Sequence, residues 1–341
     1  MNLFEQRPIG DTGLAVDVLG MGCASLGNLY RPVSDAAAAA VLGAARLHGF
    51  RYFDTAPHYG QGLSERRVGD ALRQDPDRGH VLSTKVGRLL TPAGYASERH
   101  GFVSPMPFDI VYDYSYDGVM RSYEHSLQRL GLDRIDILFM HDIGAYTHGE
   151  ANRRLFPIAM SGGYRALDEL RSGGQVRAIG IGANEFEVCA AALDHGDWDC
   201  FLLASRYTLL EQPAIGTFLP ACEQRGCSVI VGAPYNSGIL ATGVRAGGPA
   251  YYDYGPAPEA IVRKVAALED VCGEFGIPLA AAALQFPLTH PAVASVIPGL
   301  GSEHRIRQTI DLFHTEIPGS FWQTLKDRSM LDAGVPTPAS D

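Results

Sequence analysis

Eight short apolar runs recur along the chain, and each of the first seven is followed by a segment with the periodicity of an amphipathic helix. The runs are Val16–Gly20, Arg51–Asp54, Val81–Lys85, Ile135–Met140, Val176–Gly182, Phe201–Ala204, Val229–Gly232 and Val293–Ile297. Strands that are apolar nearly throughout, rather than alternating, belong to parallel sheets covered by helices. The helical segments are Ser34–His48, Ser64–Leu72, Asp117–Leu130, Tyr164–Ser172, Glu185–Leu193, Thr217–Arg225 and Ala257–Phe275, with Ser34 as an N-cap and Gly49 as a C-cap. Repeating βα units permit a doubly wound sheet, but eight strands in this alternation favour an α/β fold of the (β/α)8 type, a TIM barrel. Arg7–Leu19 reads as a hairpin turning at Asp11–Thr12–Gly13, placed to plug the barrel's N-terminal end. We expect a single barrel domain over residues 1–330 and a flexible tail over 331–341.

Composition narrows the function classes. With 46% hydrophobic and 19% charged residues the chain can fill a large core. The net charge of −10 and the lack of a Lys/Arg run argue against a nucleic-acid partner. Met1–Asp17 has no apolar export core, and Ile277–Thr289 is too short and too broken by proline to span a bilayer, so a cytoplasmic protein without membrane contact is expected. The six cysteines form no CxxC pair and have no histidine at zinc-site spacing, so no metal is expected.

Three connections are long: 86–116, 142–163 and 233–256. All follow strands, which in a barrel places them on the C-terminal face where active sites are built. The third, with Tyr251–Tyr252–Asp253–Tyr254–Gly255–Pro256, reads as a mobile covering loop. Four polar residues fall at or just past strand ends: Asp54, Tyr59, Lys85 and His141. A barrel brings such positions to one mouth. A tyrosine is a poor base at neutral pH, its reference pKa being about 10, and a neighbouring ammonium lowers that value. An aspartate would keep the lysine charged and in place, and a histidine opposite would orient a substrate oxygen. Such a set interconverts C–OH and C=O, with a cofactor taking the hydride. Gly20 and Gly22 suggest a dinucleotide-fold fingerprint, but its third position is Ser25 and no helix opens there.

The segment GFRYFDTAPHYGQGLSE (Gly49–Glu65) resembles the G-[FY]-R-x-x-D-T-A-x-x-Y motif of the aldo-keto reductases. STKVG (Ser83–Gly87), His141 and IPG (Ile297–Gly299) follow in that family's order, and the resemblance covers essentially the whole chain. It implies a nicotinamide cofactor, Tyr59 as the acid/base, Lys85 and Asp54 as its tuning pair, and His141 as the group that orients substrate. It also implies cofactor contacts at Gly22, Cys23, Asn184, Pro234, Tyr235, Ser237, Gly238, Pro298, Gly299, Arg305 and Thr309. The chain departs from the family at Ala183, where a serine normally precedes the asparagine. It departs again at Ala204, in place of a glutamine, and at Gly232, in place of an aromatic. The role of Asp142, beside His141, is left open between substrate contact and loop capping.

The segment Ile297–Ser302 lacks the cation that relatives using NADP place at the equivalents of Gly299 and Gly301. Only Arg305 is kept, so NAD is expected, with NADP still usable. Gly101–Asp142 and SRYTLLEQ (Ser205–Gln212) resemble the branch of the family that oxidises aldoses at C1 or pyridoxal, both as cyclic hemiacetals going to lactones. The resemblance therefore implies oxidation of a small sugar, of the L-fucose, D-arabinose or L-galactose type. Pyridoxal oxidation, aldehyde reduction with NADPH and a non-catalytic nicotinamide sensor are the alternatives.

Overall fold

Parity along the strands decides what the barrel holds inside. In a computed structural model, which describes residues 5–74 and 79–338, eight strands form one sheet. They are β1 (Met21–Gly22), β2 (Tyr52–Asp54), β3 (Val81–Val86), β4 (Ile137–His141), β5 (Ala178–Ala183), β6 (Cys200–Ala204), β7 (Ser228–Gly232) and β8 (Val293–Ile297). Each pairs in parallel with the next in chain order. Parallel bridges Leu19–Val296 and Gly22–Gly299 close the sheet on itself, so this is a TIM barrel rather than a doubly wound sheet. Gly22 serves that closure, because a Cβ there would lie 3.1 Å from the Ile297 carbonyl oxygen.

Because side chains alternate across a strand, Tyr52, Ile137, Phe139, Ala178, Cys200, Leu202, Ile230 and Ala294 fill the interior, while Phe53, Leu82, Leu138, Met140 and Ile179 pack against the helices. The same parity turns Asp54, Ser83, Lys85 and His141 inward at the C-terminal ends. The expected hairpin is present as Gln6–Ile9 paired with Leu14–Asp17, and Ile9, Leu14 and Val16 join the interior cluster from below. Burying side chains of this kind contributes about 1.5–3 kcal/mol each. The polar mouth thus sits on a closed apolar floor.

Several details differ from expectation. The first barrel strand is Met21–Gly22, not Val16–Gly20, because residues 14–17 are taken by the hairpin. The helix Leu279–Gln285 has no amphipathic pattern; six of its seven residues are buried, so it carries no polar face to betray it. The helix Gly319–Asp327 follows, and Leu331 and Val335 pack into the core, so the tail expected from 331 is anchored there through those two apolar side chains. Residues 339–341 lie outside the described residues.

The long connections carry their own structure. The first holds the antiparallel pair Arg88–Pro92 and Phe108–Tyr112, the second a run of short helices from Ala145, and the third a tight pair, Tyr251–Tyr252 with Gly255–Pro256. Ser34 caps the helix Asp35–Leu47 as expected, accepting from the Ala37 N–H, and Gly49 follows with φ +86°. No single helix among the described residues is long and apolar enough to cross a membrane.

Candidate active site

Lys85 reaches the mouth with its stem beside Gly182; a Cβ on that glycine would lie 3.5 Å from Lys85 Cε. Lys85 Nζ donates to both Asp54 oxygens, at 3.0 and 2.8 Å, and to the Thr55 carbonyl at 2.8 Å. Ser83 Oγ donates to Asp54 Oδ1 at 2.7 Å. Both ions are buried, Lys85 at 1% and Asp54 at 2% exposure, so each needs the other; unpaired, either would carry a large desolvation cost.

Tyr59 lies in the turn between β2 and the helix Leu63–Leu72. That turn packs backbone to backbone on the loop after β1: a Cβ on Gly27 would fall 2.5 Å from the Tyr59 carbonyl carbon. Only glycine permits the crossing, and it fixes the tyrosine. Lys85 Nζ stands 4.8 Å from the Tyr59 ring centre, and the His141 ring meets Tyr59 edge-on with centres 6.3 Å apart. The expected four residues converge.

Their electrostatics differ from expectation in one respect. Burial, followed by the carboxylates of Asp54 and Asp142, pushes the Tyr59 phenol well above its ordinary value, with Arg88 opposing. Burial outweighs any lowering by neighbouring cations, and the Lys85 ammonium is paired with Asp54. Burial also holds His141 well below the usual imidazole range, with Arg88, Lys85 and His58 adding to the effect. His141 is therefore a neutral hydrogen-bonding group at neutral pH.

The sequence reading missed Arg88 and undervalued Asp142. Arg88 is buried and donates to Asp142 Oδ2. Asp142 also touches His141 Nε2 at 3.4 Å and accepts from Asn184 Nδ2 at 3.2 Å. Asn184 Oδ1 in turn accepts from the Tyr254 hydroxyl at 3.0 Å. Tyr254 belongs to the expected covering loop, which is tethered by Arg206–Asp253 at 3.0 Å, Tyr252–Glu211 at 2.8 Å and Tyr254 N–H to Ser237 Oγ at 3.0 Å. These contacts join loops far apart in sequence, so no local pattern announces them.

The remaining predicted contacts lie around β5, β7 and β8. Gly238 and Gly299 leave open space where a side chain would stand, and the Tyr235 hydroxyl is buried without a hydrogen-bond partner. Arg305 is close enough to act electrostatically on Tyr235, while Pro234 and Pro298 are buried beneath these loops. Open glycines, an orphan hydroxyl and a cation fit an extended anionic ligand such as a dinucleotide. Three of the expected positions are taken up by contacts within the protein. The close approach at Gly22 is made by the β8 backbone. Cys23 is fully buried, with its N–H bonded to the Asp54 carbonyl, and offers a ligand no group. Thr309 is 3% exposed on the inward side of the helix Glu303–Phe313, whose polar face carries Arg305. Near Gly301, an Arg31 guanidinium nitrogen lies 3.3 Å from where a Cβ of that glycine would be, beside Ser25.

Comparison with known proteins agrees with this geometry. The model of the aldo/keto reductase family matches residues 18–329. The chain belongs to the aldo/keto reductase family and is an oxidoreductase; the family's hydride carrier is a nicotinamide dinucleotide. It is 45% identical to a pyridoxal 4-dehydrogenase of Microbacterium luteolum, covering 96% of this chain and 98% of that one. It is 38% identical to a D-threo-aldose 1-dehydrogenase of a Pseudomonas species, over 96% and 97%. Among solved structures, an aldo-keto reductase of Bacillus halodurans in its holo form superposes with a TM-score of 0.73 at 24% identity, covering 97% of each chain, a likeness of fold.

Proposed function

We propose that the protein is a dehydrogenase that oxidises the hemiacetal carbon of a small cyclic substrate to a lactone, with NAD as the preferred hydride acceptor. The observation that carries the reading is the convergence of Tyr59, Lys85, Asp54 and His141 at one barrel mouth. His141 orients the substrate hydroxyl. Tyr59, as the phenolate, takes its proton, and Lys85, held by Asp54, balances the charge. The hydride acceptor would be supplied by a nicotinamide bound beside these residues. Asn184 would hold its carboxamide, Tyr235, Ser237 and Gly238 the diphosphate, and Gly299, Arg305 and Arg31 the adenosine end. The two cations keep NADP usable.

A relative named for pyridoxal, at 45% identity, and one named for D-threo-aldoses, at 38%, support keeping both substrates in the reading. Nicotinamide absorbance, followed with NAD and NADP separately, would test L-fucose, D-arabinose, L-galactose, L-glucose and pyridoxal. Rapid NAD reduction by one sugar series establishes an aldose 1-dehydrogenase, and turnover of pyridoxal alone establishes a pyridoxal dehydrogenase. Silence with all five, together with NADPH consumption by simple aldehydes, overturns the oxidative reading. Tight cofactor binding without turnover would indicate a sensor.

A further inference from the structure

Asp142 follows His141 directly yet turns back beside it, because its φ is +47°. A left-handed residue other than glycine is strained, and aspartate is among the few that tolerate it. The turn is held by the Asp142 N–H, which donates to the Gly182 carbonyl at 2.8 Å. The carboxylate, 7% exposed, is then shared between two neighbours with different tasks. Oδ1 accepts from Asn184 Nδ2, while Oδ2 faces His141 Nε2 and is clamped by Arg88.

We propose that Asp142 is a positioning residue that aligns His141 and Asn184 with each other, so that the group facing the substrate oxygen and the group facing the nicotinamide carboxamide share one anchor. The inference rests on the proposed function. Ala183 offers Asn184 no hydrogen bond from its side chain, and the Asp142 carboxylate fixes the Asn184 amide. It commits Nδ2 inward and leaves Oδ1 toward the covering loop, where the Tyr254 hydroxyl meets it. An outward oxygen accepts, so the ligand group it reads must donate: the NH2 of a carboxamide rather than a ketone.

Two measurements on the full chain test this. In the wild type, protein fluorescence should show NADH binding at least about tenfold more tightly than the reduced 3-acetylpyridine analogue, which lacks the amide donor. Equal binding overturns the proposal, whereas failure of both to bind overturns the cofactor reading beneath it. Asp142→Asn keeps shape and tolerance of positive φ, but its amide can donate to Asn184 and release the fixed orientation. The NADH preference should narrow to about twofold, and kcat should fall about tenfold. The NADH loss should vanish in an Asn184→Ala background and the kcat loss in a His141→Ala background, as residues acting through one another require. Undiminished preference in Asp142→Asn, or losses that simply add in both backgrounds, overturns the proposal.

Discussion

The two sides of the barrel mouth are built on different plans. From β2 to β4 the inward strand ends carry long polar side chains: Asp54, Lys85 and His141 are 2%, 1% and 6% exposed and are held by direct contacts. From β5 to β7 the inward ends are Gly182, Ala204 and Gly232, and polar function moves out to loops containing Ser205, Ala233, Asn236 and Ser237, all with positive φ. Chemistry needs fixed distances between a few atoms, which strands provide. An extended cofactor needs open length, which small residues and shaped loops provide. Asp142 and Asn184 join the two sides.

The comparison can be broken first at Lys85. Lys85→Met should lower turnover by about 10²–10⁴-fold, because the relay loses its cation. It should also destabilise the fold by about 3–5 kcal/mol, because Asp54 is left buried without its counter-ion. Steady-state kinetics and urea unfolding read the two effects. A stability loss near zero would mean that Asp54 is solvated or protonated at little cost.

Next comes pH. Since burial and two carboxylates raise the Tyr59 phenol above its ordinary value of 10.0, the phenolate that oxidation needs is scarce at neutral pH. The oxidation rate should climb about tenfold per pH unit from about pH 7 to 9, while the reverse reduction, which needs the phenol, stays nearly flat. A plateau in oxidation below about pH 8 would show that the lysine dominates after all. The smallest effect belongs to the cofactor side. Arg31→Ala and Arg305→Ala should each weaken NADP binding about fivefold more than NAD binding, measured by fluorescence titration. Equal losses for the two cofactors would remove both cations from the phosphate site.

What could be read from the sequence follows the same division. The strand-borne residues were legible because strand parity and the Gly49–Glu65 segment act locally, and the helical periods located most of the outer layer. The contacts that join Arg88 to Asp142 and Tyr254 to Asn184 are not legible. The Tyr254–Asn184 hydrogen bond spans 70 residues and the Arg88–Asp142 pair 54, between loops whose approach only the closed barrel determines. Arg31 was hidden likewise, since the β8 segment alone shows no cation. The first strand differs from expectation because residues 14–22 are apolar but for Asp17, and nothing local shows that the hairpin ends at that residue, whose carboxylate is taken by Arg51 at 2.8 Å.

Tyr59→Phe tests the central claim most directly, with turnover and NADH binding measured on the same sample. The substitution removes one oxygen from a half-buried ring whose hydroxyl is assigned only the proton step. Turnover should fall by about 10²–10⁴-fold while the NADH dissociation constant stays within about twofold of wild type. Wild-type turnover in that variant would contradict the account.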